Sequence, residues 1–263
     1  MRRGLMNKYK KELINRVEFI QNVLMQSGAE GIVYGNSGGK DSALVGALCK
    51  AACKNTVGII MPCESKRNYS IDRLDALKVA QHFDIETREA DISPVKSAMN
   101  SVLTSCTDLS YMSSANINPR LRMTVLYALA ASENRLVAGT GNRSEKYVGY
   151  FTKWGDGACD FNPIADLTVT EVYEFLNYLG CPDCVISKAP SAALFEGQTD
   201  EQELGFTYAQ LDHFLKGGPA EPEVIERIKY LHSSTAHKRA PIYTYSRKYY
   251  YKREERLGTK DML

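Results

Sequence analysis

The sequence lacks any long hydrophobic run: no stretch of its 263 residues reaches the roughly 18 apolar residues that a membrane-spanning helix needs. The first residues contain no continuous apolar segment typical of a secretory signal. Pro/Gly/Ser-rich linkers, internal repeats and low-complexity segments are absent as well. We therefore expect one domain over residues 1–263, located in the cytoplasm and bound to no membrane.

A large excess of charge is also missing, because 33 Lys and Arg residues face 31 Asp and Glu residues. A net charge of +2 gives little support to nucleic-acid binding, which usually requires a clustered basic face. The odd number of cysteines, seven, indicates free thiols in a reducing compartment. Cys181 and Cys184 form a single C-x-x-C pair, which without a second pair is more typical of a structural turn than of a metal site.

A glycine-rich turn lies between an apolar run and a helix-forming segment near residue 40. It contains the residues Gly35, Asn36, Ser37, Gly38, Gly39, Lys40, Asp41 and Ser42. Adjacent glycines and the start of a helix present backbone N–H groups to an anion, so this turn predicts a phosphate site. Asp41 would repel phosphate unless a divalent cation lay between them, and the sequence therefore also indicates Mg²⁺.

The rest of the chain alternates between short apolar runs and helical periodicity. The pattern predicts strands at 31–34, 57–62, 86–90 and 135–139, and helices at 6–26, 41–53, 71–83, 120–132, 168–179, 208–215 and 222–231. This order is typical of an α/β protein with a doubly wound parallel sheet flanked by helices, a Rossmann-like fold. Such sheets bind ligands at the carboxyl ends of their strands, where the turn at 35–42 falls.

The pattern S-G-G-x-D-S does not match the Walker A loop, because Lys40 is followed by Asp41. It resembles the pyrophosphate loop (PP-loop) of the ATP pyrophosphatases, an adenine nucleotide alpha hydrolase-like group. Four further segments narrow the resemblance: residues 116–123, 139–145, 151–160 and 236–239. Together with the loop, these segments resemble the ammonia-dependent NAD synthetases from about residue 10 to residue 241.

The resemblance implies a ligase that forms a C–N bond in the last step of NAD biosynthesis. The carboxylate of deamido-NAD would attack ATP and release pyrophosphate, and ammonia would then displace AMP from the acyl adenylate. A carboxylate oxygen is a poor leaving group at neutral pH, so activation by ATP divides one difficult substitution into two easier steps.

The family's residues map onto this sequence position by position. The loop from Gly35 to Ser42 would bind the phosphates of ATP, and Asp41 and Glu145 would be the ligands of Mg²⁺. Thr140 and Ser191 match positions that contact ATP, with Ser191 replacing the threonine found in many relatives.

Five residues match positions that hold deamido-NAD: Arg120, Lys153, Asp160, His237 and Lys238. Cations at four of them suit the pyrophosphate and carboxylate of the dinucleotide. We expect Asp156 to take the proton of ammonium, because the nucleophile must be neutral ammonia. Asp41, Asp156 and Lys153 are therefore the predicted catalytic residues.

The sequence departs from the family at Val169, where many relatives have a lysine that serves the ATP phosphates. Lys188 and Lys40 are the candidates to supply the missing charge. Two alternatives stay open on sequence alone. One is a tRNA-thiolating PP-loop adenylyltransferase that uses the C-x-x-C pair, and the other is a nucleotide-binding regulator without turnover.

The family resemblance also implies partners. Its members are homodimers, and the helix at 120–133 could supply such an interface through four apolar side chains, although on sequence alone these could equally belong to the core: Leu121, Val125, Leu126 and Leu129. Ammonia is the expected nitrogen donor because no glutamine-splitting domain is visible, although a separate glutaminase could supply it. The tyrosine- and lysine-rich segment 243–263 is interpreted as a surface arm that could close over the site.

Overall fold

The computed structural model describes residues 2–65, 67–188 and 200–245. Its centre is a four-stranded sheet, and every strand pairs in parallel with its neighbours in the order β3-β2-β1-β4. The strands are β1 (Gly31–Gly35), β2 (Thr56–Ile60), β3 (Glu86–Glu89) and β4 (Arg135–Val137). The register pairs Val33 with both Val57 and Val137. The α/β parallel sheet flanked by helices is therefore confirmed.

Helices connect the strands and extend the fold beyond β4. They are α1 (Arg2–Ser27), α2 (Lys40–Ala52), α3 (Arg73–His82), α4 (Ser93–Thr104), α5 (Tyr111–Ala115), α6 (Ile117–Ser132), α7 (Arg143–Val148), α8 (Val169–Leu179), α9 (Asp183–Ile186), α10 (Asp200–Leu204), α11 (Tyr208–Leu215), α12 (Pro222–Ser234) and α13 (Ala236–Arg239). A π-helical turn at Asn68–Asp72 precedes α3. No helix in the described part of the chain is both long and apolar enough to cross a bilayer.

Alternating side chains of β1 divide the core between the two faces of the sheet. Ile32 and Tyr34 belong to a cluster that α1, α2, α3 and α8 cover, whereas Val33 faces α6 in a second cluster. A third cluster around Tyr208 and Leu211 joins the helices after β4. Burial on both faces explains why the central strands are almost entirely apolar in sequence.

The helix α6 corrects one expectation. Leu121, Val125, Leu126 and Leu129 are partly buried and pack against the second core cluster beside Val33 and Val137. They cover one face of the sheet, so of the two alternatives for these side chains the structure favours the core, and the homodimer stays a prediction. The interpretation of the whole chain as a single domain stays a prediction.

Candidate active site

A cleft of about 780 Å³ lies at the carboxyl ends of β1, β2 and β4. Its wall includes the glycine turn after β1, the segment after β2, the first turns of α6, residues 149–152, Gly155 and Asp156. Lys188, Asp200 and Lys238 also line it. This is the edge at which parallel α/β sheets bind their ligands.

The turn between β1 and α2 can be formed only with glycine at Gly38. Its φ is +70°, and a Cβ atom there would collide with the backbone carbonyl oxygen of Asp72. Asn36 fixes the turn from below, because its Nδ2 donates to the Ala76 carbonyl at 3.0 Å and its Oδ1 accepts from the Gly38 N–H at 3.3 Å. The loop is therefore clamped against the start of α3.

The amino end of α2 faces the cleft without a capping side chain. Its N-cap residue is Gly39, which has no side chain to accept a hydrogen bond from the first-turn N–H groups. Those amides therefore remain available to an anion. Ser37 and Ser42 stand at the same turn with their Oγ atoms 3.1 Å apart. The arrangement suits a phosphate group, which accepts several N–H and O–H donors at once.

Lys40 lies between two carboxylates at this end of the cleft. Its Nζ is 2.8 Å from Asp41 Oδ2 and 3.7 Å from Glu145 Oε1. Burial alone would lower the pKa of Lys40, but the two facing carboxylates raise it above the ordinary value for lysine. Burial and the nearby Asp41 raise the pKa of Glu145 to about 8. The two carboxylates thus surround a place that already holds a cation.

The capping of α7 positions Glu145. Asn142 accepts from the Glu145 N–H at 2.9 Å, while the Glu145 carboxylate accepts from the Asn142 N–H at 3.2 Å. Asn142 Nδ2 also donates to Asp41 Oδ1 at 3.0 Å, which ties α7 to the loop. The sequence reasoning missed Asn142, although the spacing N-x-x-E of a capping box could have revealed it. Thr140 precedes this box and lines the cleft, as expected.

Asp156 and Lys238 lie together on another part of the wall. Asp156 is open to the cleft within a concave surface, and desolvation there raises the pKa of its carboxyl despite the nearby cations Lys238 and Arg122. Its Oδ1 accepts from the Thr152 N–H at 2.9 Å. Lys238 Nζ donates to the carbonyls of Gly149 and Phe151, each at 2.8 Å. Burial lowers the pKa of Lys238, so this cation is poorly compensated.

Three predicted dinucleotide-binding residues form a chain of contacts beside the cleft. Arg120 Nε donates to the Lys153 carbonyl at 3.4 Å, and Lys153 Nζ donates to the His237 carbonyl at 2.8 Å. Lys153 also lies 5.4 Å from the ring of the exposed Trp154. None of the three is part of the cleft wall within the described residues.

Asp160 occupies a separate position at the end of β4. Its carboxylate accepts from the Tyr127 hydroxyl at 3.2 Å and from the Val137 N–H at 2.7 Å. These bonds join β4 to α6, and the side chain lies outside the described cleft wall. Ser191, the second predicted ATP-contacting residue, and the arm beyond Tyr245 lie outside the described residues.

The structure also shows the surroundings of Val169, which stands where many relatives have a lysine. Val169 is buried in the third core cluster, and its backbone N–H donates to Ser144 Oγ at 3.2 Å. Both proposed substitutes line the cleft. Lys188 differs from Lys40 in its partners, since its Nζ lies 2.7 Å from Asp72 Oδ1 and 3.0 Å from Asp75 Oδ2.

The C-x-x-C pair is part of the core around the carboxyl end of α8. Cys181 is buried in the first cluster, Cys184 packs against it, and burial raises the pKa of both thiols. Within the described residues, no group of three or more His, Cys, Asp or Glu side chains is arranged to hold a metal. The pair therefore fits the structural interpretation better than a redox or cluster site.

Comparison with known proteins identifies the family of the chain. The NAD synthase family model matches residues 12–255. The NH₃-dependent NAD⁺ synthetase of Carboxydothermus hydrogenoformans is 45% identical over 226 residues, which is 85% of this chain and 92% of that protein. The corresponding enzyme of Archaeoglobus fulgidus is 42% identical over 236 residues, covering 87% of this chain and 94% of that protein.

Solved structures give the same relationship. The NMN synthetase of Francisella tularensis superposes with a TM-score of 0.86 at 38% identity, covering 90% of this chain and 98% of that one. The NH₃-dependent NAD synthetase of Campylobacter jejuni superposes with a TM-score of 0.73 at 31% identity, covering 90% and 99%. Neither the tRNA-thiolating enzyme nor the non-catalytic regulator is favoured by these matches. The chain belongs to the NAD synthase family, whose ATP-dependent ligases form NAD with ammonia as the nitrogen donor.

Proposed function

We propose that the two parts of the cleft wall divide the amidation of deamido-NAD between them. The loop end binds the phosphates of ATP, and the wall around Asp156 and Lys238 receives the nicotinate carboxylate and ammonia. The observation that carries this proposal is the position of Lys40 Nζ between Asp41 and Glu145, next to the uncapped start of α2. A phosphate site beside two carboxylates is what an ATP-cleaving enzyme requires.

Asp41 and Glu145 are the proposed ligands of Mg²⁺. They are carboxylates, which are the hard oxygen donors that Mg²⁺ prefers, and they already face one cation. The metal would neutralise charge on the phosphates, and phosphate oxygens and water would complete its coordination. The raised pKa of Glu145 supports this role, because a second cation relieves the cost of its ionisation.

In the first step, loop amides and the hydroxyls of Ser37 and Ser42 bind the pyrophosphate that leaves. The carboxylate oxygen attacks the α-phosphorus, a P–O bond to pyrophosphate breaks, and an acyl adenylate forms. Positioning and charge neutralisation do most of this work, because the enzyme needs to supply little covalent chemistry of its own. Lys40 and Lys188 line the cleft at this end, each paired with carboxylates of the chain.

In the second step, Asp156 accepts a proton from ammonium, and the resulting ammonia attacks the acyl carbon. The C–O bond to AMP then breaks, the attacking nitrogen releases a second proton to solvent, and the amide remains. Desolvation raises the pKa of Asp156, which brings this carboxyl closer to the working pH and makes it a better base than an exposed aspartate. Lys238 lies near this carboxyl and is proposed to bind the substrate.

A second candidate substrate is the mononucleotide, nicotinate mononucleotide, which the same chemistry would convert into NMN. Two observations favour testing it. The solved structure named an NMN synthetase superposes with a higher TM-score than the NAD synthetase of Campylobacter jejuni, 0.86 against 0.73. In addition, Arg120, Lys153, Asp160 and His237 stand outside the described cleft wall, where they would contact only a longer substrate or a neighbouring subunit.

Two further expectations belong to this proposal, a homodimer and a cytoplasmic location, and a separate glutaminase could supply the ammonia. Support for the dimer is the exposed apolar stripe of Val95, Met99 and Val102 on α4. A second copy of the chain would cover this stripe. Light scattering of Val102→Glu against the unaltered chain tests the interface.

The deciding experiment supplies the purified chain with Mg²⁺-ATP and ammonium, together with either deamido-NAD or nicotinate mononucleotide. We expect equal amounts of amide product and AMP with deamido-NAD, and loss of both in Asp41→Ala. A larger kcat/KM for the mononucleotide would favour the second candidate. ATP binding without AMP release on either substrate would contradict both.

A further inference from the structure

Arg122 is a cleft cation that the sequence reasoning did not assign. It is the sixth residue of α6 and lines the cleft beside the carboxyl end of β2. Its Nε donates to the Met61 carbonyl at 3.1 Å, and its Nη2 approaches Asn68 Oδ1 at 3.5 Å. Among the residues that the structure describes, Nη1 has no hydrogen-bond acceptor within reach. Half of the guanidinium fork therefore remains available.

Most other cations of the cleft wall are neutralised within the chain. Arg67 and Lys188 pair with Asp72, Arg73 with Glu89, Lys96 with Glu64, and Lys40 with Asp41 and Glu145. Of the described cations that line the cleft, only Arg122 and Lys238 have no carboxylate within ion-pair distance. Both lie near enough to Asp156 to influence its ionisation.

The lack of a carboxylate partner has an energetic cost. Burial lowers the pKa of Arg122, and the nearest acidic groups, Cys63, Asp156 and Asp72, act on it from beyond contact. A charge that is partly removed from water and has no counterion destabilises the folded chain. An anionic ligand would remove this cost, and a guanidinium fork matches the two oxygens of a carboxylate or a phosphate.

We propose that Arg122 binds an oxyanion of the reacting pair, either the carboxylate of the nicotinate substrate or the α-phosphate of ATP. The proposal rests on the amidation proposed above. The loop at Gly38 and Gly39 accounts for the leaving pyrophosphate, so these two groups are the anions that still need a partner. Arg122 would hold one of these two groups at the point where the first bond forms, next to Asp156.

Matched ligand pairs test this contact in the substitution Arg122→Gln. Deamido-NAD and NAD differ at the carboxylate, and AMP and adenosine differ at the α-phosphate. Calorimetry on the unaltered chain should show a preference for the charged member of each pair. In Arg122→Gln we expect one preference to fall about tenfold and the other to change less than about threefold. The pair that responds identifies the bound oxyanion.

Two further variants separate binding from structure. Arg88→Gln removes an arginine that is paired with Glu86 and Glu133 and does not line the cleft, and it should leave both preferences unchanged. Arg122→Lys keeps the charge without the fork, and it should recover only part of the lost preference. The variant Arg122→Lys is expected to fold even if Arg122→Gln does not. It therefore provides a second measurement of the preference within each ligand pair.

Each outcome decides the proposal. Unchanged preferences for both pairs in Arg122→Gln and Arg122→Lys would overturn it, whatever happens to kcat. Equal loss of all four affinities together with a lower melting temperature would overturn it in favour of a structural role. NAD formation by the unaltered chain is measured in the same preparation, so failure of the amidation proposal would be recognised separately.

Discussion

The two ends of the cleft differ in how they treat charge. At the loop end, Lys40, Asp41 and Glu145 form a compact group in which each charge has an opposite partner within 4 Å. At the other end, Arg122 and Lys238 are held by backbone carbonyls and an amide, and burial lowers the pKa of both. The loop end is therefore complete before ligands bind, whereas the other end still lacks an anion.

Because of this difference, ligands that bind at the two ends displace different groups of the chain. On the function proposed above, Mg²⁺-ATP would have to displace an internal cation, Lys40, from between two carboxylates. An anionic substrate arriving beside Arg122 and Lys238 displaces no internal ion pair in the described chain. Disturbing the loop end should consequently cost more, and it should cost stability and activity together.

The largest effect is expected for Gly38→Ala, which breaks the loop end directly. The substitution forces an L-residue into φ +70° and drives a Cβ into the Asp72 carbonyl. We expect a stability loss of about 2 kcal/mol or more and a fall in kcat/KM of about 10²–10³. Thermal melting and the AMP-release assay measure the two effects.

Gly180→Ala is the matched control for this loss. Gly180 has the same φ of +70°, but its Cβ would meet no atom within 4 Å. It should lose about 1–2 kcal/mol of stability from the backbone conformation alone and keep its activity. Equal losses of activity in the two variants would show that the close approach at Asp72 is unimportant.

The same comparison explains how much the sequence could predict. The strands, the loop and the helix starting after Thr168 follow local rules of periodicity, glycine turns and the T-x-x-E capping box, which the structure contains. The cations of the second end come from α6 and α13, far apart in sequence, and only folding places Arg122 and Lys238 near Asp156. Local patterns cannot give such distances.

The sequence also could not decide whether the apolar side chains of α6 belong to the core or to a subunit interface. Its apolar positions fit both a core helix and a subunit interface, because the helical period is the same in the two cases. Packing against Val33 and Val137 decided for the core. For Asn142 the local feature, its capping box, was visible in the sequence. Its hydrogen bond to Asp41 was not, because it joins residues 101 positions apart.

The pH dependence of Mg²⁺ binding sharpens the comparison at the loop end. Because the pKa of Glu145 is raised to about 8, the metal must displace a proton at lower pH. Affinity should therefore increase with pH, by up to about tenfold per unit, and level off above pH 8. Without metal, the same shift means that the native state loses stability as pH rises from about 4.3 toward 8.

Calorimetry of Mg²⁺ binding in the presence of a non-hydrolysable ATP analogue measures this slope. In Glu145→Gln the affinity should be lower and its pH dependence should largely disappear. A slope that survives in Glu145→Gln would assign the proton to another group and would remove the carboxylate from the metal site.

The smallest effects come from two helix caps that differ in their position relative to the cleft. Asn142 caps α7 and also bonds Asp41, whereas Thr207 caps α11 through Gln210 alone. Alanine at either position should cost about 1 kcal/mol of stability, since both lose an N-cap. Only Asn142→Ala should also raise the KM for ATP, by several-fold, because Asp41 then loses the bond that orients it. If Thr207→Ala changes this KM to the same extent, the effect belongs to helix stability in general, and the loop end is less self-contained than its hydrogen bonds indicate.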